Sequence, residues 1–250
     1  MDRTTRTTED VLRLLDGLFA DDSAKWQGFY DDRSRPVPFF VPKPDENLVA
    51  HLDQGLIPAR GRALDLGCGP GRNALHLAAR GFRVDAVDLS AAALDWARER
   101  AGEAGLEVRF LHGDAFADEL GLGADGPYDL IYDSGCFHHL PPHRRATYLA
   151  FLTRHLAPGG RFALTCFAAG PDGMGSELPD AAFYRDRSLH GGLAYTAESL
   201  RALFGEHEEL SLRRMRDEPA DSPHFGERFL WAGLFRRADG RPRPAASAAR

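Results

Sequence analysis

Three glycines at alternate positions, in Leu64-Asp65-Leu66-Gly67-Cys68-Gly69-Pro70-Gly71-Arg72, point more directly to a bound ligand than any other spacing in this sequence. Glycine lets the backbone turn tightly and approach a bound group closely, and a helix starting after the turn presents free N–H groups. A dinucleotide turn spaces its glycines G-x-G-x-x-G to carry a pyrophosphate. Here the third glycine comes one residue early, and Asp65 stands two residues before the turn, where a carboxylate suits a cationic ligand better than a diphosphate. Two further acids end short apolar runs. Asp88 lies 21 residues after Gly67, about where a carboxylate accepts hydrogen bonds from a ribose diol. Asp114, in His112-Gly113-Asp114-Ala115-Phe116, pairs a carboxylate with a ring that can grip an adenine amine and its flat face. Three acids along one sheet edge repel one another unless a ligand with donors lies across them.

Positioning these acids takes alternating strands and helices, and from Arg62 onward the pattern predicts them. Strands are expected at 63–66, 83–88, 108–112, 128–132 and 161–167, and helices at 73–80, 91–104 and 142–156, the last stopped by Pro158-Gly159-Gly160. Such alternation means a parallel sheet covered on both faces, an α/β doubly wound fold. Upstream, Thr7-Thr8-Glu9-Asp10 caps a helical pattern of Val11, Leu14, Leu15, Leu18 and Phe19. The stretch with Pro36, Pro38, Pro42 and Pro44 excludes a regular element, yet Trp26, Phe29, Tyr30, Phe39 and Phe40 make it an ordered segment lying over the main domain. Another helix begins after Pro44. Residues 168–194 are Gly/Pro-rich and longer than an ordinary connection, a helix opens at Thr196, and 210–215 with 229–235 predict a closing antiparallel pair. The chain thus divides into an N-terminal helix and aromatic segment (1–44), a main domain (45–237) with its insertion (168–194), and a disordered tail (238–250).

These residues resemble the class I S-adenosylmethionine-dependent methyltransferases over roughly 45–237. The resemblance implies a Rossmann-like, mostly parallel seven-stranded sheet with a C-terminal antiparallel hairpin. It implies S-adenosylmethionine as cofactor and S-adenosylhomocysteine as product. Carried over residue by residue, Asp65, Gly67, Cys68 and Gly69 meet the amino-acid end of the cofactor, Asp88 the ribose, and Asp114 and Ala115 the adenine. Leu89 and Phe116 supply apolar walls, and Asp133, ending the fourth strand, joins the cofactor set. The segment at 26–30 is more weakly similar to thiopurine, halide and tellurite-resistance methyltransferases, whose N-terminal aromatic stretch closes over the cofactor. That places Trp26 against the cofactor, Tyr30 near its carboxylate as a catalytic candidate, and Phe39 and Phe40 against the acceptor. Phe183, Tyr184, His190 and Tyr195 would form the opposite wall.

In this family the acceptor sits beyond the fourth strand. Amine methyltransferases acting on nucleic-acid bases carry [DN]-P-P-[YF] there, whereas this chain has Asp133-Ser134-Gly135-Cys136. With a net charge of -6, that argues against nucleic acid and for a small-molecule acceptor. His138 is the candidate general base, with His139 an acceptor contact. His138, His139 and His143 lack a carboxylate partner at fixed spacing, so no metal is expected. Without a compact catalytic dyad, the leading acceptor atom is a thiol sulfur or a nitrogen. The alternatives are O-methylation of a hydroxyl or carboxylate with His138 as base, and methylation of RNA or protein through Arg213-Arg214, Arg216, Arg236-Arg237 and the arginine tail.

The remaining composition fits this reading. At 250 residues, with 43% apolar and 27% charged, the chain suits one large globular domain. Cys68, Cys136 and Cys166 lie far apart without C-x-x-C spacing and read as reduced thiols. No run approaches the roughly 18 apolar residues of a membrane span. A cytoplasmic protein without membrane partners, monomeric or homodimeric, is the expectation.

Overall fold

The computed structural model describes residues 5–238, so the expected disordered tail, apart from Ala238, lies outside the described residues. Seven strands form one sheet: β1 (Arg62–Leu66), β2 (Arg83–Asp88), β3 (Arg109–His112), β4 (Tyr128–Ser134), β5 (Leu156–Phe167), β6 (His207–Arg214) and β7 (Leu230–Arg237). Their order is β3-β2-β1-β4-β5-β7-β6. The first five run parallel, while β7 slots antiparallel between β5 and β6. This is the mostly parallel, Rossmann-like seven-stranded sheet with a C-terminal antiparallel hairpin that the sequence leads one to expect. Strand order reverses between β1 and β4, so a crevice opens beyond their carboxyl ends, where open α/β sheets bind ligands.

Period-two alternation sorts the strand residues onto two covered faces. Leu64, Leu66, Ile131, Phe162 and Leu164 enter one core with Tyr148 and Leu152. Ala63, Ala86, Leu130, Tyr132 and Ala163 enter the other with Leu77 and Leu94. Eight α-helices are described. α1 (Thr8–Asp16) starts at a Thr7 capping box. α2 (Ala20–Phe29) follows, and α3 (Glu46–Asp53) opens the main domain. α4 (Arg72–Ala79), α5 (Ala91–Ala104) and α6 (Arg144–His155) are the crossovers, and α7 (Asp180–Asp186) and α8 (Ala197–Leu203) come late in the chain. None is long and apolar enough to cross a membrane among the described residues.

Three elements depart from expectation. The chain recovers helical structure after Phe19, so Trp26 and Phe29 project from α2 instead of from an irregular stretch. Pro158-Gly159-Gly160 does not separate helix from strand. β5 begins at Leu156, and residues 157–160 bulge out between the pairs Tyr128–Leu156 and Leu130–Arg161. The insertion at 168–194 contains α7 and is pinned by Phe183, Leu189 and Leu193, all buried in the main core.

The N-terminal segment is strapped down at both ends. Arg144 of α6 donates to Asp16 at 3.0 Å, His143 Nε2 lies 2.9 Å from the same carboxylate, and Phe19 is buried beneath. Further on, Arg33 donates to Glu99 of α5 at 3.0 Å and Arg100 to the Phe40 carbonyl at 2.8 Å. Within the main domain, Glu46 is buried and receives Arg213 at 2.6 Å and Arg216 at 2.7 Å, tying α3 to the end of β6. Burial alone would raise its pKa, but these arginines hold the carboxyl below its usual range. A depressed folded pKa stabilises the protein above the unfolded value near 4.3 and loses that contribution as pH falls. Glu46→Gln is therefore expected to cost about 2 kcal/mol near neutral pH. In denaturant melts that deficit should narrow below about pH 4.

Candidate active site

The turn after β1 is shaped by close contact. Gly67 and Gly69 have φ of +64° and +51°, in the left-handed region that favours glycine. A Cβ on Gly67 would lie 3.0 Å from Cys136 Cβ, and one on Gly69 would lie 3.1 Å from the Tyr30 hydroxyl. The turn thus packs between the segment after β4 and the N-terminal aromatic segment, leaving space only for backbone.

Four carboxylates are buried around it, and each is satisfied differently. Asp88 is 8% exposed and accepts the Gly69 and Ser90 N–H groups, both at 2.8 Å. Burial raises its pKa against those hydrogen bonds. Asp133 accepts the Cys136 N–H at 2.8 Å and the Tyr148 hydroxyl at 2.7 Å, and burial lifts it to about 6. Asp45 accepts the Tyr132 and Ser134 hydroxyls at 2.6 Å each and pairs with the Arg72 guanidinium. Asp65 Oδ2 is buried without a hydrogen-bond partner; Asp45 Oδ1 also lacks one, but it is ion-paired with Arg72. Burial first, and then Asp45, push the Asp65 pKa well up. An orphaned buried carboxylate oxygen beside a glycine turn fits a cationic amino-acid end of a cofactor.

Asp114 ends β3 on the exposed side, and its Oδ1 accepts the Phe116 N–H at 2.9 Å. Leu89 stands 44% exposed at the same rim, and Cys68 is buried within the turn. Phe116 packs on Tyr148 at 5.9 Å and Phe151 at 5.4 Å and, with Ala115, lines a cavity of about 490 Å³ against α6. Asp133 faces inward, its oxygens taken by its own loop and Tyr148, which removes it from the cofactor set. Tyr30 is buried over the turn, and desolvation, with Asp88 nearby, raises its phenol pKa well above the usual value. It stays protonated and is a donor.

A cavity of about 470 Å³ opens between α2 and the carboxyl ends of β4 and β5. Trp26, Phe29 and Phe39 line it from the N-terminal side, His139 and Phe167 from the sheet side. Trp26 meets His139 edge-on at 4.7 Å, which places it at this cavity and not against the cofactor edge. Phe39 lines this cavity. Phe40 does not, because it is buried and stacks on Tyr30 at 5.4 Å. The expected opposite wall is largely core. Phe183 is buried, Tyr195 stacks on Phe137 at 5.0 Å, and the Tyr184 hydroxyl accepts the His143 N–H at 2.9 Å. His190 is exposed and paired with Asp186 at 3.0 Å. From that segment Gly191 reaches the cavity.

His138 is buried with its ring stacked 3.7 Å from that of Phe167. Its Nδ1 accepts the Phe167 N–H at 3.3 Å, which leaves the neutral ring's proton on Nε2. Burial and then His139 drive its pKa well below the usual range. Burial and then Lys25 push His139 down to about 3. Neither imidazole takes up a proton readily.

The sequence reading missed the network of Asp45, Arg72, Asn73 and Ser134. Arg72 stacks 4.1 Å from Phe225 and donates to Ser134 at 3.1 Å, while Asn73 accepts the Asp45 N–H at 2.9 Å. Its one sequence signal was Arg72-Asn73 directly after the glycine turn; nothing linked them to an acid 27 residues upstream.

With this geometry in hand, four likenesses bear on it. Residues 63–160 match the family described as "Methyltransferase domain". The 2-heptyl-1-hydroxyquinolin-4(1H)-one methyltransferase of Mycobacteroides abscessus is 33% identical over 135 residues, 54% of this chain and 57% of that protein. The demethylmenaquinone methyltransferase of Thermus thermophilus is 36% identical over 144 residues, 57% of this chain and 63% of that protein. A solved structure described as "Conversion of a Disulfide Bond into a Thioacetal Group during Echinomycin Biosynthesis" superposes with a TM-score of 0.65 at 28% identity, over 88% of this chain and 93% of that one. The chain spans less than two thirds of the length of both curated relatives.

Asp88→Ala should weaken S-adenosylhomocysteine binding at least tenfold by calorimetry, with an unchanged circular dichroism spectrum. Undiminished affinity would remove the ribose role from Asp88.

Proposed function

We propose that this chain, whose residues 63–160 match the family described as "Methyltransferase domain", is a class I S-adenosylmethionine-dependent methyltransferase that methylates a small molecule at a thiol sulfur or a nitrogen. The observation that carries the cofactor part is the unpartnered Asp65 Oδ2, buried beside the glycine turn in line with Asp88. S-adenosylmethionine, when bound, supplies a methyl group already activated on a sulfonium. Asp65 and the turn receive its ammonium end, Asp88 its ribose hydroxyls, and Asp114 with the Ala115 backbone its adenine edge. Tyr30, held protonated over the turn, donates a hydrogen bond and keeps water out.

Because the electrophile arrives activated, holding the acceptor in line accounts for most of the catalysis, of order 7–11 kcal/mol in the best intramolecular models. The acceptor reading rests on what the histidines cannot do. His138 already spends Nδ1 on the Phe167 N–H, and His139 is pushed down to about 3, so neither serves as a base near neutral pH. An acceptor that is nucleophilic without help fits such a site. A hydroxyl needing His138 as base does not.

Methylation of RNA or protein has little support in the arginines once invoked for it. Arg213 and Arg216 are committed to Glu46, Arg236 to Glu208, and Arg214 to the Ala169 carbonyl at 2.8 Å.

Release of S-adenosylhomocysteine, followed by mass spectrometry across thiols, heterocyclic amines, phenols and carboxylates, tests the reading. Turnover confined to oxygen acceptors sinks the sulfur-or-nitrogen assignment. With a thiol acceptor, kcat/KM should follow the acceptor's own ionisation, and His138→Ala should lower kcat less than about tenfold. A loss of about 100-fold or more would return the base to His138.

A further inference from the structure

Asp45, Asp65, Asp88 and Asp133 are buried together, and among the described residues one ion pair reaches them, that of Arg72 with Asp45. Arg72 is spent there: it also donates to Ser134 at 3.1 Å and stacks 4.1 Å from the Phe225 ring centre. Asp88 and Asp133 are answered by N–H and hydroxyl donors. Asp65 differs from all three. It is 1% exposed, has no arginine of its own, and its Oδ2 meets no donor. The groups facing it divide unequally. Asp45, ahead of α3, and Asp133 of β4 oppose another negative charge, while Arg72 and the Ala74 N–H of α4 favour it. Cys68 in the turn and Cys136 after β4 are thiols that burial keeps protonated, so they add no charge. Burial and then Asp45 prevail and raise the carboxyl well above its usual range.

We propose that Asp65 is a neutral acid in the ligand-free protein and gives its proton to solvent when an ammonium group docks beside Oδ2. The step breaks one O–H bond and leaves a carboxylate paired with an ammonium that keeps its own protons. The identity of the ligand rests on the methyltransferase reading, while the protonation state stands on the protein alone. A buried neutral acid costs far less than a buried unpaired charge, and it ionises once a cation compensates that charge. Asp65 thereby discriminates between ligands by their amino-acid end. An adenosine compound without the ammonium leaves the proton where it is. One that carries the ammonium exchanges it, and its affinity rises with pH wherever the free protein still holds that proton.

Calorimetry of the full chain near pH 7, in phosphate and in Tris, counts protons because the two buffers differ in ionisation enthalpy. S-adenosylhomocysteine should release about one proton per ligand bound, and 5′-methylthioadenosine, which lacks the amino-acid end, should release none. Asp65→Asn should release none with either. No release from the unsubstituted protein, or the same release from Asp65→Asn, overturns the proposal. A second measurement needs no ligand. Asp65→Asn keeps the shape of the neutral acid without a proton to lose. The unfolded chain ionises Asp65 near about pH 3.9 while the folded protein keeps it protonated, so rising pH costs the unsubstituted protein stability that the variant retains. The melting temperature of Asp65→Asn, less that of the unsubstituted protein, should therefore increase from about pH 5 to about pH 7.5. A flat or shrinking difference overturns the proposal, whether or not S-adenosylhomocysteine binds. An increasing difference in a protein that does not bind S-adenosylhomocysteine supports the protonated Asp65 and counts against the methyltransferase reading alone.

Discussion

Burying several carboxylates at one sheet edge is the constraint around which this molecule is organised. Asp45, Asp65, Asp88 and Asp133 each have a relative exposure of 8% or less, in a space where any one of them raises the cost of ionising the next. The fold answers that cost locally. Arg72 neutralises Asp45, backbone N–H groups with the Tyr148 hydroxyl cradle Asp133, and the glycine turn and Ser90 serve Asp88. Asp65 is left incompletely satisfied. A buried acceptor without a donor costs free energy in the absence of ligand and yields it on binding one with positive charge. A cation placed beside Asp65 would offset the burial that raises its pKa, so ligand binding and ionisation of Asp65 are coupled.

The same arrangement explains why the neighbouring elements cannot vary freely. The Asp133 carboxylate gathers the N–H groups of Cys136 and Phe137, and this fixes the short helical turn carrying His138 and His139. That turn brings Cys136 against Gly67 and stacks His138 on Phe167. Tyr30 closes over Gly69 from the opposite side and is itself backed by Phe40, which lies edge-on to Trp96 of α5 at 5.3 Å. The N-terminal segment is thus part of the floor and roof of the site. Its anchors on α5 and α6 give it fixed geometry at each end.

Two regions of different polarity result, side by side on one edge. The region of the glycine turn is rich in carboxylates and suited to a cation. The cavity beyond His139 is aromatic, lined by Trp26, Phe29, Phe39 and Phe167. Neutral histidines at the boundary avoid adding charge that either region would have to accommodate.

Local patterns settled much of this in advance. The alternation of apolar runs and helical spacing marks the parallel sheet, because strand and helix periodicities belong to neighbouring residues. The glycine spacing with Asp65 and Asp88 marks the ligand edge, because a turn between strand and helix is a local event. Side-chain direction is not local. Asp133 stands at the expected strand end, yet its carboxylate turns inward to Tyr148 of α6, 15 residues further on. Phe183 and Tyr195 carry the chemistry of a binding wall, but the insertion folds back through α7 and buries them. Trp26 reaches His139, and Asp45 finds Arg72, only once the sheet has brought those segments together. The sequence determined which groups the edge would hold. Tertiary packing decided which of them face a ligand, since that choice depends on long-range contacts that no local pattern encodes.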